Sequence, residues 1–72
     1  MKNLRNLRED NNLTQTQVAE KLNIGQTTYS RYESGELSIP YESLIVLAFF
    51  YNTSIDYLVG ITRVKKPYER ME

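Results

Sequence analysis

The 72-residue chain contains neither cysteine nor histidine. That excludes disulfide cross-links, Cys/His zinc sites and any reaction scheme that needs a thiol or an imidazole. Net charge is also absent, since nine Lys and Arg balance nine Asp and Glu. The chain is therefore not an indiscriminate polyanion binder, and any contact with nucleic acid has to come from a local patch. Long apolar runs are missing: the longest, Leu44 to Tyr51, falls far short of the roughly 20 residues that span a bilayer. No charged-then-apolar leader opens the chain, so the expectation is a soluble, cytoplasmic protein. There is no phosphate-cradling glycine loop and no cluster of side chains spaced for a metal, and the acids fall mostly at helix-surface or capping positions. The residues therefore point away from an enzyme and to no cofactor, no metal site and no small-molecule effector site.

What the sequence does contain is helical periodicity. A chain this short forms one domain with one small core and buries only about 60% of the surface its unfolded form exposes. Leu4 and Leu7, ringed by charges, predict a helix over about Lys2 to Asp10, which Asn11-Asn12 stop, because Asn tolerates left-handed backbone. Thr14 with Gln17 forms a capping box that starts a second helix carrying Val18, Ala19 and Leu22 inward, ending at about Leu22. The turn Asn23-Ile24-Gly25 holds a conformationally free glycine between two short helices. A third helix runs from Gln26 to Glu33 with Tyr29 and Tyr32 inward, and Ser34-Gly35 end it. Pro40 closes a surface loop. The fourth helix begins at about Tyr41. Its stripe Leu44, Leu47, Ala48 and Tyr51 is core, while Ile45, Val46, Phe49 and Phe50 make it apolar nearly all round, so it is either central or meets a partner. Ser54 caps a fifth helix in which Ile55, Leu58 and Val59 face the core as far as Gly60. The fold class is all-α: a compact five-helix bundle over residues 1–60, followed by a basic tail over 61–72 that carries Arg63, Lys65, Lys66 and Arg70. The tail is open to three readings: disorder, packing on the fifth helix, or a dimer-associated strand.

The segment Leu13 to Glu36, LTQTQVAEKLNIGQTTYSRYESGE, resembles the helix-turn-helix of the phage repressor and Cro family, the XRE-type transcriptional regulators. The resemblance lies in the Leu-Thr-Gln start, Ala19, the turn and Tyr32-Glu33-x-Gly35. It continues through Leu47-Ala48 and Ser54-Ile55-Asp56-Tyr57-Leu58 and covers about Leu4 to Gly60. It implies a lambda-repressor-like fold in which helices two and three form the helix-turn-helix, and a function in binding the major groove of double-stranded DNA. It also implies a DNA-facing role for Gln15 and a partly buried ion pair, structural in purpose, between Arg8 and Glu33.

The residues of the third helix support the same reading on their own chemistry. A DNA-reading helix needs polar side chains at its N-terminal end, and Gln26, Thr27, Thr28 and Ser30 supply them. Glutamine can pair with adenine, threonine can touch a thymine methyl, and arginine can pair with guanine or phosphate, so Gln26, Thr27 and Arg31 are the base-reading candidates. The plainer reading is that Gln26 to Thr28 merely cap and solvate a helix start. Gln15, in the first turn of helix two, can hold a phosphate, and Arg5 and Lys2 can reach a flanking one. Two features depart from the family pattern. The loop Glu36-Leu37-Ser38-Ile39-Pro40 lacks basic residues, so that phosphate contacts fall to Ser38, Tyr41, backbone N–H groups and the tail. Gly25 also stands at the N-cap of helix three, where Ser or Thr is commoner.

A single helix reads too few base pairs for useful specificity. A homodimer repressing from an inverted repeat is therefore expected, with half-sites about 34 Å apart, and Phe50, Tyr57, Leu58 and Val64 are the candidates for its interface. The tyrosines Tyr29, Tyr32, Tyr51 and Tyr57 read as core filling rather than as a stacking platform for single strands. The rival class is a protein-interaction module, an antitoxin, antirepressor or adaptor on the same scaffold. The outward front of helix three discriminates between them, since it is free of acids from Gln26 to Arg31.

Overall fold

A computed structural model describes residues 1–68. Its order is α1 (Lys2–Asp10), α2 (Gln15–Lys21), α3 (Gln26–Ser34), α4 (Tyr41–Phe50) and α5 (Ile55–Val59), and no strand occurs among the described residues. The five expected helices are all present. The capping box that opens α2 is complete: Gln17 N–H donates to Thr14 Oγ1 at 3.1 Å, and Thr14 N–H donates to Gln17 Oε1 at 2.8 Å. Ser54 caps α5 by accepting from Tyr57 N–H at 3.0 Å.

Helices this short need firm stops, and three of the five use the same one. Asn12, Asn23 and Asn52 sit at φ 56°, 57° and 54°, the left-handed conformation that asparagine tolerates better than other side chains. In each case the next residue's N–H reaches back to the last turn, Leu13 to Arg8, Ile24 to Ala19 and Thr53 to Ala48, at 2.9 to 3.0 Å. Helix-end carbonyls are thereby satisfied without glycine. Gly25, at φ −75°, is the extended N-cap of α3, as expected, and the α2–α3 turn takes its left-handed residue from Asn23 and not from the glycine.

The core collects one to three side chains from each helix: Leu4 and Leu7, Val18 and Ala19, Tyr29 and Tyr32, Leu44, Leu47 and Ala48, and Leu58. The α2–α3 pair is the most extensively packed. Val59, expected inside, is 39% exposed; with α5 little more than one turn long, Leu58 takes the inward position and Val59 turns away from it. Leu58 is 1% exposed, which corrects its placement at a dimer interface, because its surface is already spent inside the monomer. The apolar excess of α4 emerges as an outer face of Tyr41, Ile45, Val46, Phe49 and Phe50. Phe50 lies beneath the Lys21 ammonium, 5.3 Å from its ring centre.

Beyond α5 the chain turns back across the α4–α5 side. Thr53 Oγ1 donates to the Lys65 carbonyl at 2.5 Å, the Tyr68 hydroxyl to Asp56 at 2.7 Å, and Lys65 Nζ lies 3.5 Å from Asp10. Val64 is exposed. Arg70, with the rest of the expected tail over 69–72, lies outside the described residues. No helix among the described residues is long and apolar enough to cross a membrane.

The two sides of α4 give a direct test of this packing. Leu47→Ala, at a fully buried position, is expected to cost about 2 to 5 kcal/mol, and Val46→Ala, on the outer face, about 0.5 kcal/mol or less. Urea unfolding at low protein concentration checks both, and equal losses would overturn the assignment of faces.

Candidate nucleic-acid interface

The inward side of α3 anchors it and the outward side is left for a partner. Tyr29, Tyr32 and Glu33 are buried. By helical rotation, Thr27 and Arg31, one turn apart, lead the opposite face. Gln26 and Ser30 flank them on one edge and Thr28 on the other. Gln26, Thr27 and Arg31 are exposed, while Thr28 and Ser30 are half-buried. Ser38 is exposed in the loop after α3, and Lys2 and Arg5 are exposed on α1.

Behind this face lies a chain of hydrogen bonds. Arg8 Nε donates to Glu33 Oε2 at 2.6 Å and Arg8 Nη2 to Glu33 Oε1 at 3.2 Å, while Arg8 Nη1 donates to the Leu13 carbonyl at 3.0 Å. One guanidinium thus ties α1 to the end of α3 and to the loop that enters α2. The two side chains are 13% and 5% exposed, so this is a buried pair and not a surface one. The amino group of Met1 also donates to the Glu33 carbonyl. From Glu33 the chain runs outward: Gln15 Nε2 donates to Glu33 Oε1 at 3.3 Å, and Gln26 Nε2 donates to Gln15 Oε1 at 2.7 Å. Gln15, read from sequence as a phosphate ligand, therefore has both ends of its amide engaged within the protein and orients Gln26. Gln26 keeps its carbonyl oxygen and one amide hydrogen for a partner, the acceptor and donor that adenine's major-groove edge requires.

Charge in this cluster is finely balanced. Burial alone would raise the Glu33 carboxyl, but its hydrogen bonds, that from Arg8 foremost, hold it below its ordinary value. The Arg8 guanidinium is raised by its bond to Glu33, against the opposing effect of burial. Burial pushes the Tyr29 hydroxyl up, and the nearby carboxylate pushes it further; Tyr51 is pushed up to about 12 for the same two reasons. Neither hydroxyl meets hydrogen-bonding geometry among the described residues.

Two features here were not read from sequence. The Gln15–Gln26 bond joins residues eleven apart, a separation fixed by the α2–α3 turn and by no local periodicity. Arg31 also forms an ion pair with Glu36, Nε to Oε2, at 3.2 Å. Among the residues expected at a dimer interface, Phe50 and Val64 are exposed, Tyr57 is half-buried and Leu58 is internal. No cluster of carboxylates able to hold a metal occurs among the described residues.

A five-helix domain with a capped α2, a tight turn and a polar-fronted α3 is a helix-turn-helix architecture. The helix-turn-helix family model matches residues 4–58, and the chain belongs to that family. It is 40% identical over 68 residues to the HTH-type transcriptional regulator ImmR of Bacillus subtilis, covering 94% of this chain and 54% of that protein. It is 42% identical over 57 residues to the cryptic phage CTXphi transcriptional repressor RstR of Vibrio cholerae, covering 79% of this chain and 51% of that protein. It is also 32% identical over 71 residues to the antitoxin PezA of Streptococcus pneumoniae, covering 99% of this chain and 45% of that protein. The chain thus spans about half the length of these curated relatives. A comparison with solved structures gives no significant match.

The buried pair generates two expectations. Arg8→Ala, which strands the Glu33 carboxylate, should cost about 3 to 5 kcal/mol, read as a large fall in thermal midpoint. Because folded Glu33 binds its proton more weakly than the unfolded side chain, whose ordinary value is 4.5, its contribution is complete above that pH. It is lost as pH falls through the lower folded value. Glu33→Gln should lower stability at neutral pH and flatten this acid limb; an unchanged acid limb would overturn the assignment.

Proposed function

We propose that the chain is a sequence-specific, double-stranded DNA-binding transcriptional regulator that enters the major groove with α3 and represses as a homodimer on an inverted repeat. The observation that carries the reading is the Gln26 amide, held by Gln15 and through it by the Arg8–Glu33 pair. A base-reading side chain gains from being oriented before contact, since less freedom is lost on binding. Gln26 and Thr27 read base edges, Thr28 and Ser30 line the groove wall, and Arg31 reads one turn further along. Ser38, Arg5 and backbone N–H groups near the helix ends take phosphates, which position the domain without specifying sequence. Membership of the helix-turn-helix family and likeness to proteins named as a transcriptional regulator and a repressor support the same conclusion. With Leu58 internal, the outer α4 face and the exposed Phe50 remain for the second copy, and the reading stays non-enzymatic.

A second reading, a protein-interaction module of antitoxin type, is favoured by the likeness to PezA, which extends over nearly the whole chain. The acid-free outward face of α3 weighs against it, as docking on DNA requires such a face.

Selection of bound sequences from a random duplex pool, with the wild type and a Gln26→Ala/Thr27→Ala variant, separates the two. The expected outcome is a palindrome with half-sites about one helical turn apart, relaxed by the variant at defined positions, with sedimentation showing two chains per duplex. No enrichment, with the variant indistinguishable from wild type, would overturn the DNA reading in favour of a protein partner.

A further inference from the structure

Four of the five helices end on a backbone N–H that reaches five residues back to a carbonyl: Leu13 to Arg8, Ile24 to Ala19, Thr53 to Ala48 and Ile61 to Asp56. The reading helix ends differently. Ser34 Oγ donates to the Arg31 carbonyl at 3.1 Å and accepts from Glu36 N–H at 3.3 Å, and Leu37 N–H, six residues on, donates to the Arg31 carbonyl at 3.1 Å. Gly35, at φ 82°, makes the reversal. This widened turn sets Glu36 beside the Arg31 guanidinium. Its carboxylate meets Arg31 at Nε, and neither Nη nitrogen is hydrogen-bonded among the described residues, so the end of the fork stays open to a partner.

We infer that Glu36 is a specificity-determining residue, compensating the charge of Arg31 and buttressing its Nε side so that the two Nη groups engage guanine in preference to phosphate. The inference rests on the DNA-binding function proposed above. Between Leu13 and Pro40 the chain has two cations, Lys21 and Arg31, against Glu20, Glu33 and Glu36. Lys21 is occupied over the Phe50 ring. Arg31 is therefore the one cation on α3, and an uncompensated arginine there would bind any phosphate it met. Sequence-independent affinity rises with each phosphate neutralised, whereas the O6 and N7 acceptors of guanine accept a bidentate pair from an arginine fork. A carboxylate on Nε leaves that fork intact and repels the backbone.

The test measures binding of wild type, Glu36→Gln, Arg31→Ala and the double variant to two probes at several salt concentrations. One probe is a mixed-sequence duplex of about 24 base pairs, roughly two helical turns; the other is the duplex enriched by selection. Glu36→Gln is expected to bind the mixed-sequence probe about three- to fivefold more tightly, the scale of one exposed ion pair. The slope of log K against log salt should steepen by about 0.9, one further phosphate. Preference for guanine at the position that Arg31→Ala relaxes should fall, and in the Arg31→Ala background the Glu36 substitution should change affinity less than twofold. Unchanged mixed-sequence affinity and slope would overturn the inference while leaving the DNA reading intact. So would an effect that persists in full without Arg31, since that would be general repulsion. Failure of the wild type to retain either probe would overturn the DNA reading and this inference together.

Discussion

The Arg8–Glu33 pair is the constraint on which the rest of the structure depends. A domain of five helices, each of five to ten residues, has little intrinsic helix stability, because short helices are marginal without tertiary packing. Most of its packing is non-directional apolar contact among leucines, alanines and tyrosine rings, which holds elements together without fixing their rotation. The guanidinium of Arg8 supplies direction: two donors to Glu33 and a third to the Leu13 carbonyl set α1, α3 and the start of α2 against one another. Such a pair adds little net stability, since desolvation offsets most of its attraction. Its contribution here is geometric, and Gln15 and Gln26 carry that geometry to the surface.

The helix stops show why so much of the fold was legible in the sequence. Thr14 with Gln17, Ser54, Asn11-Asn12 and Pro40 are local signals whose physics needs no distant partner, and each marks a boundary close to its position in the structure. Gly25 takes its expected place as the N-cap of α3, but the left-handed residue of the turn was not assigned: Asn23 at φ 57° makes the reversal and Gly25 stays extended. The same residue type recurs after α1 and α4, so a pattern of Asn one residue before Leu, Ile or Thr was present in the chain as a repeated stop. Leu58 and Val59 were harder to assign, because a five-residue helix offers too few turns for periodicity to separate the core position from its neighbour.

Less of the candidate site could be read. The polar front of α3 follows from composition and rotation, so Gln26, Thr27 and Arg31 were nameable, as were the partners Arg8 and Glu33 through the resemblance. What surrounds them was not. The bond from Gln26 to Gln15 and the ion pair from Arg31 to Glu36 depend on where two turns deliver their side chains, and turn geometry is the part of a short sequence that periodicity does not encode. Gln15 illustrates the consequence: a helix-start amide suits a phosphate on chemistry alone, and its two intramolecular bonds add a second role, the support of its neighbour, while one amide hydrogen is left over.

The neutral charge of the chain then acquires a physical meaning. A basic surface gives affinity for any duplex, and that affinity competes with recognition of the right one. With few cations on the α2–α3 side, and with the exposed Lys21 and Arg31 each paired, one with the Phe50 ring and the other with Glu36, little uncompensated charge remains there to bind a backbone indiscriminately. On the DNA-binding function proposed above, recognition draws on side chains supported from within the fold, Gln26 by Gln15 and Arg31 by Glu36. Both supports are anchored to structure formed on folding, the first to the buried ion pair and the second to the Ser34–Gly35 turn. On that proposal, orientation set by the fold takes the place of charge in a chain with no net charge.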